Sequence, residues 1–174
     1  FEDSDSALVE VGSAQDRIID IKDFLKYLHE KNIYVIGRIA VFQDPYLVDK
    51  RPDLAVKKIS NDTPWKDYKG LAWLDPCSLE VWDYIVRIAR ESGHLGFDEI
   101  NFDYIRFPSD GNMANIKYPF CESPLSKADV IENFFSYLKT NLDDLGLPLS
   151  ADLFGMVTVN TDDLNIGQVL ERAE

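Results

Sequence analysis

Apolar positions along the chain fall into two rhythms, a helical repeat of about 3.6 residues and short apolar runs of strand length. "QDRIIDIKDFLKYLHEK" (15–31) puts Ile18, Ile21, Phe24, Leu25 and Leu28 on one helical face, with Ser13 as cap and Asp16 three residues after it. "IYVIGRIAVF" (33–42) is a nearly continuous β-branched and aromatic run, suited to a parallel strand buried on both faces. Asp75 followed by Pro76 reads as an N-cap with proline at the first helical position. The helix it opens carries Val81, Trp82, Ile85, Val86 and Ala89 inward and stops at Gly93. A second strand is expected over 97–105. Ser126 caps a helix bearing Val130, Ile131, Phe134, Phe135, Leu138 and Leu142, which Gly146 and Pro148 end. "LSADLFGMVTV" (149–159) reads as a third strand, and a last helix begins near Asp163.

The order is α-β-α-β-α-β-α, without an internal repeat. Such alternation argues for a parallel α/β architecture, either an open doubly wound sheet or a (β/α)8 barrel. No glycine-rich phosphate turn follows any strand, which disfavours a nucleotide-binding sheet. The long connections, 44–75 and 106–125, both follow strands, where a barrel builds its active face. A whole barrel needs roughly 250 residues and eight strands. The 174 residues are therefore expected to form one segment from the middle of a barrel, lacking its first and last strands. Phe1 in place of Met points the same way.

One stretch breaks the apolar pattern. "GFDEINFDYIRFPSDG" (96–111) crowds Asp98, Glu99 and Asp103 into a strand, with Arg106 just behind. Alternation places Glu99, Asn101 and Asp103 on one face and Ile100, Phe102 and Tyr104 on the other. The apolar set would pack under helices, and the polar set would face the barrel lumen. Asp103 would then stand nearest the C-terminal end, where barrel enzymes keep catalytic groups. Arg38 on the preceding strand would pair with Glu99. Asp152 closes the following strand, and two carboxylates on neighbouring strands can approach the ~5–5.5 Å used by retaining glycosidases. Each has a structural alternative: Asp103 neutralising Arg106, Asp152 capping a turn, Asp44 capping the loop after the first strand instead of binding substrate hydroxyls. Tyr46, Trp65, Tyr68 and Trp73 are candidates for stacking on sugar rings, against ordinary packing over the rim.

Composition narrows the partners. Eighteen basic against 31 acidic residues give a net charge of −13, which repels nucleic acid and anionic membrane surfaces. Neutral sugars are compatible with it. No apolar run approaches the ~18 residues that span a bilayer. Cys77 and Cys121 are too few for a zinc pattern and are either free thiols or one disulfide. His29 and His94 lie near helix ends, so no metal site is expected.

These stretches, "GFDEINFDYIRFPSDG" with "IYVIGRIAVFQDP", "AWLDP", "LSADLFG" and "NIGQVLE", resemble the bacterial "putative glycosyl hydrolase domain" family from about residue 16 onward. The resemblance implies a (β/α)8-barrel glycosidase distantly related to the alpha-amylase-like barrels, acting on a polysaccharide without a cofactor. It implies Asp103 as nucleophile or transition-state stabiliser. Asp152 stands where related enzymes often keep the general acid, commonly a Glu. Arg106, Asp44, Tyr104, Trp73, Trp65, Arg38 and Glu99 would contact or frame the carbohydrate. The remaining barrel would come from the same chain, in an extracellular or cell-envelope protein. The alternatives are a non-catalytic carbohydrate-binding barrel and a lyase or isomerase barrel. The absence of a strand lysine counts against the latter.

Overall fold

The computed structural model describes residues 6–12, 18, 20–121 and 125–153. Three parallel strands, β1 (Ile36–Ala40), β3 (Glu99–Asp103) and β5 (Leu149–Ala151), form a sheet in the order β1-β3-β5. Helices α2 (Ile21–Glu30), α4 (Leu79–Leu95) and α5 (Lys127–Leu142) alternate with them. Two short helices, α1 (Ser6–Glu10) and α3 (Pro45–Lys50), two short strands, β2 (Lys57–Lys58) and β4 (Ile116–Lys117), and 3-10 turns at Pro52–Leu54, Met113–Asn115 and Asp143–Leu145 complete the described elements. The expected α/β alternation is present.

In β3, Ile100 and Phe102 are buried while Glu99, Asn101 and Asp103 keep partial exposure, as the alternation predicts. The first strand differs from expectation. Gly37 and Ile39 are buried but Ile36, Arg38 and Ala40 are exposed, so only one face of β1 is covered. A charged Arg38 within the apolar run is the residue that a two-sided buried strand could not have held.

Helix α4 buries the five residues its periodicity assigned inward, but its ends move. Ser78, not Asp75, is the N-cap, its side chain accepting from the Val81 amide at 3.4 Å. The Asp75 carboxylate is already occupied by the Cys77 amide at 2.9 Å and the Phe120 amide at 3.0 Å. At the other end the chain passes Gly93 and stops at Gly96, which takes the left-handed φ of 106°. Gly93 lies within the helix, and a Cβ there would sit 3.2 Å from Leu147. In α5 the Ser126 cap forms a reciprocal box with Asp129. Its predicted face is buried except for Phe135, which is exposed. Helix α2 starts at Ile21 after Asp20 and buries Leu25, while Ile18 and Phe24 are exposed. The expected cap Ser13 with Asp16, the strand beyond 153 and the helix near Asp163 lie outside the described residues.

The core joins the covered sheet face to α4 and α5. Trp82 meets Phe134 at a centroid distance of 5.5 Å, and Phe134 meets Phe42 at 5.0 Å. The connections after β1 and β3 build a second layer together. β2 pairs antiparallel with β4, Asn115 bonds Ser60, and Lys117 pairs with Asp62 at 2.7 Å. Trp65 donates its indole N–H to the Asn112 carbonyl at 3.0 Å. A disulfide joins Cys77 to Cys121, settling the choice between free and bridged thiols, with Cα atoms 5.0 Å apart. Thus the two rim loops hold each other.

Candidate active site

The strand register determines which charges meet. Ile36 stands opposite Glu99, Arg38 opposite Asn101 and Ala40 opposite Asp103. Arg38 reaches up the strand to Asp103, its Nη2 donating to Oδ2, and its Nε lies 3.7 Å from Asp152 Oδ2. The expected Arg38–Glu99 pair is thus replaced by a guanidinium between two carboxylates. A guanidinium is a compact fork, so one side chain brings both carboxylates to the same end of the sheet.

Asp103 is doubly held. Its Oδ1 accepts the Tyr104 amide at 2.7 Å and its Oδ2 accepts Arg38. Tyr104 has φ 57°; among the described residues the other non-glycine ones at positive φ are Asp or Asn, which tolerate that region. The left-handed turn ends β3 at Asp103, and Tyr104 stays partly buried against the core with its ring 6.1 Å from that of Trp73. The Asp103 side chain is 19 % exposed and that of Asp152 54 %. Asp152 continues β5, its amide donating to Phe102 O at 2.8 Å, and its Oδ1 accepts from Asn101 Nδ2 at 3.3 Å. The two acids share one cleft of ≈ 300 Å³, lined also by Gln43, Asp67, Lys69, Tyr104, Arg106 and Asp110.

Arg106 lies 5.0 Å over the Trp73 ring and donates to Ser109 Oγ at 2.6 Å. Burial pulls its guanidinium below the ordinary value, and the carboxylates of Asp110, Asp103 and Asp67 oppose this. Asp103 is thus one of the charges acting on Arg106, and it accepts a hydrogen bond from Arg38.

Several expected contacts are corrected. Trp65 and Trp73 are 1 % and 0 % exposed, so neither offers a ring face to a sugar; they pack beneath the rim loops. Tyr68, at 82 %, is the most exposed ring of the four candidates. Tyr46 lines a separate cavity of ≈ 680 Å³ beside α1, α3 and α4, and donates to Gly12 O at 3.1 Å. Asp44 caps α3, accepting from the Leu47 amide at 2.9 Å and the Tyr84 hydroxyl at 3.2 Å, so it acts as the loop cap. Glu99 lies four residues below Asp103, about 13 Å along the strand, where it accepts from the Tyr34 and Ser150 hydroxyls. Asp98 accepts the Val35 amide at 2.7 Å and His29 Nε2 at 2.9 Å, and these bonds, the amide first, lower its carboxyl below the ordinary value. Asp98 and Glu99 are thus fastenings at the base of β3.

Sequence reasoning passed over Asp67 and Asp110. Asp67 is buried and accepts four hydrogen bonds, from Gln43, Trp73 and the Lys69 and Leu71 amides, which fold the loop "DYKGL" around it. The signal was an Asp two and four residues before amides of a glycine turn. Among the described residues, one trio, Asp75, Cys77 and Cys121, has the spacing of metal ligands. Its sulfurs are bonded to each other and both carboxylate oxygens accept amides, so it offers no free ligand set. No helix among the described residues is long and apolar enough to cross a membrane.

A hypothetical protein from Ruminiclostridium thermocellum ATCC 27405 is similar in structure, with TM-score 0.77 and 38% identity over 89% of this chain and 76% of that one. An exo beta-N-acetylglucosaminidase from Vibrio harveyi matches with TM-score 0.58 and 14% identity, over 78% of this chain and 22% of its own. An alpha-galactosidase from Thermus thermophilus matches with TM-score 0.54 and 17% identity, over 78% and 27%. The chain therefore spans about a quarter of these glycosidases, and the likeness is one of fold: three parallel strands and their helices correspond to part of a TIM-barrel glycosidase. No curated protein sequence matches the chain. A family profile described as "Putative glycosyl hydrolase domain" matches residues 1–174, and the chain belongs to that family.

Proposed function

We propose that the protein hydrolyses glycosidic bonds of a polysaccharide, with Asp103 and Asp152 as the two carboxylates. The observation that carries this reading is the single guanidinium of Arg38 lying between both acids at the mouth of one cleft. Two acids on adjacent strand ends, sharing a cation, are the elements of glycoside hydrolysis, in which one group attacks or stabilises and the other protonates the leaving oxygen.

The two environments divide the roles. Asp103, held by the Arg38 guanidinium and the Tyr104 amide, is fixed in orientation. It serves as nucleophile or stabiliser of the positive charge at the anomeric carbon. Asp152 is more exposed and more loosely held, and serves as the acid that gives and retrieves a proton. Tyr68 at the loop tip is the ring available for stacking on a sugar. Membership in a glycosyl hydrolase domain family supports carbohydrate as the ligand. The Cys77–Cys121 bridge supports an extracellular or cell-envelope location, since disulfides persist in oxidising compartments.

The test is reducing-end release from a glycan panel by wild type, Asp103→Asn and Asp152→Asn. Losses of about 10²–10⁴-fold are expected for either change. Unchanged hydrolysis in both variants rejects these residues as the catalytic pair. Binding without hydrolysis by the wild type instead assigns a carbohydrate-binding barrel.

A further inference from the structure

Glycoside hydrolysis makes no use of the Asp75, Cys77 and Cys121 cluster. Asp75 is fully buried, yet both its carboxylate oxygens are committed to one place: Oδ1 to the Cys77 amide, Oδ2 to the Phe120 amide. Cys121 Sγ lies 3.8 Å from Oδ1. Burial pushes the carboxyl up to about 6, the two amide bonds oppose it, and no charged side chain among the described residues contributes. Both cysteines keep part of their surface exposed.

Both sulfurs lie within 4.8 Å of an Asp75 oxygen, but their remaining surroundings differ. Cys77 directly precedes Ser78, the N-cap of the 17-residue helix α4, where the helix dipole favours negative charge on sulfur. Cys121 faces the Asp75 carboxyl. The bridge also ends the loop that leaves β3, and Arg106 and Asp110 of that loop line the cleft.

We propose that Asp75, Cys77 and Cys121 form a thiol–disulfide exchange site, with Asp75 as proton acceptor for Cys121, whose state sets how firmly the cleft-wall loop is anchored. In the closing direction the Cys77 thiolate attacks a small disulfide such as oxidised glutathione. A Cys77–glutathione bond forms, the glutathione S–S bond breaks, and the electron pair leaves on the first glutathione thiolate. The Cys121 thiol then gives its proton to the Asp75 carboxylate, and its sulfur attacks Cys77 Sγ, displacing the second glutathione thiolate. The protein dithiol is oxidised by two electrons, glutathione disulfide is reduced to two thiols, and Asp75 passes its proton to solvent. A dithiol such as dithiothreitol runs the reverse.

The full chain is reduced with dithiothreitol without denaturant, freed of reductant and mixed with oxidised glutathione, then trapped with N-ethylmaleimide for mass spectrometry. Wild type is expected to open while folded and to reclose through a transient adduct on Cys77. Asp75→Asn is expected to reclose about tenfold more slowly, with that adduct accumulating. In the wild type, the closure rate should rise with pH through about 6. Reduction should shift tryptophan emission, because Trp65 is bonded to the β3 loop at Asn112 and Trp82 to the Pro76 carbonyl beside Cys77. The proposal is overturned if both cysteines alkylate before any reductant is added, or if the bond opens only in denaturant. It is equally overturned if Asp75→Asn recloses at the wild-type rate, or if reduction leaves tryptophan emission unchanged.

Discussion

Replacing Asp75 by Asn removes a buried carboxyl whose ionisation opposes folding, and the effect should depend on pH in a defined direction. In the folded protein burial raises this group from 3.8 to about 6. A raised folded value means the native state holds its proton more tightly than the unfolded chain does. The associated stability is therefore fully present below pH 3.8 and lost as pH rises through about 6. The gap between the two values corresponds to ~3 kcal/mol at roughly 1.4 kcal/mol per pH unit. The amide carries its own cost. Asp75 accepts two backbone N–H groups, and an Asn has one oxygen to offer them, so one buried donor loses its partner at about 1–3 kcal/mol. Near pH 4 the variant should be the less stable protein by that cost. By pH 7.5 the difference should shrink by ~2.5 kcal/mol, to near zero or slightly in the variant's favour. Urea unfolding of both proteins, disulfide intact, at four pH values from 4 to 7.5 measures this directly. Stability curves that run parallel across that range would refute the reasoning, since a buried proton-binding group at this site must separate them.

Other changes test other parts of the structure. Gly111→Ala should destabilise by about 2 kcal/mol, read from the urea midpoint, because φ is 109° there and an added Cβ would sit 2.6 Å from the Trp65 ring. Ser126→Ala should cost about 1 kcal/mol through loss of the α5 capping box, measured the same way. Arg38→Ala should lower kcat on any glycan the wild type cleaves by about 10²-fold with less change in KM, since it misplaces the two acids without removing a substrate contact. Tyr68→Ala should do the reverse, raising KM and leaving kcat, if its exposed ring supplies only ground-state stacking.

The parts of the fold written in local patterns were readable from the sequence. The inward faces of α4 and α5, the Ser126 cap and the alternation of β3 depend on neighbours a few residues away. What the sequence hid depends on partners far along the chain. Arg38 meets Asp103 because of a register that pairs residues 36 and 99, and no local pattern encodes that offset. Asp75 resembled a helix cap in "DPCS", but distant Phe120 and Cys121 draw its carboxylate away, leaving Ser78 to cap α4. Trp65 and Trp73 looked like sugar platforms because loop aromatics often are. They are buried here because the β1 and β3 loops pair through β2 and β4, two-residue strands too short to carry any alternation. The acid at 103 stood out as a charge ending an apolar strand, whereas Asp67 was concealed within an ordinary polar turn.

Asp103 and Asp152 are held to be a division of labour, and leaving-group dependence separates the two roles. Hydrolysis of an aryl glycoside with a good leaving group, beside the matching natural glycan, should be measured for both Asn variants. Asp152→Asn should keep most of its activity on the aryl glycoside while losing about 10²–10⁴-fold on the glycan, because a good leaving group needs no proton. Asp103→Asn should lose activity on both. If the two variants behave alike on both substrates, or if the pattern is reversed, the assignment of these carboxylates is wrong.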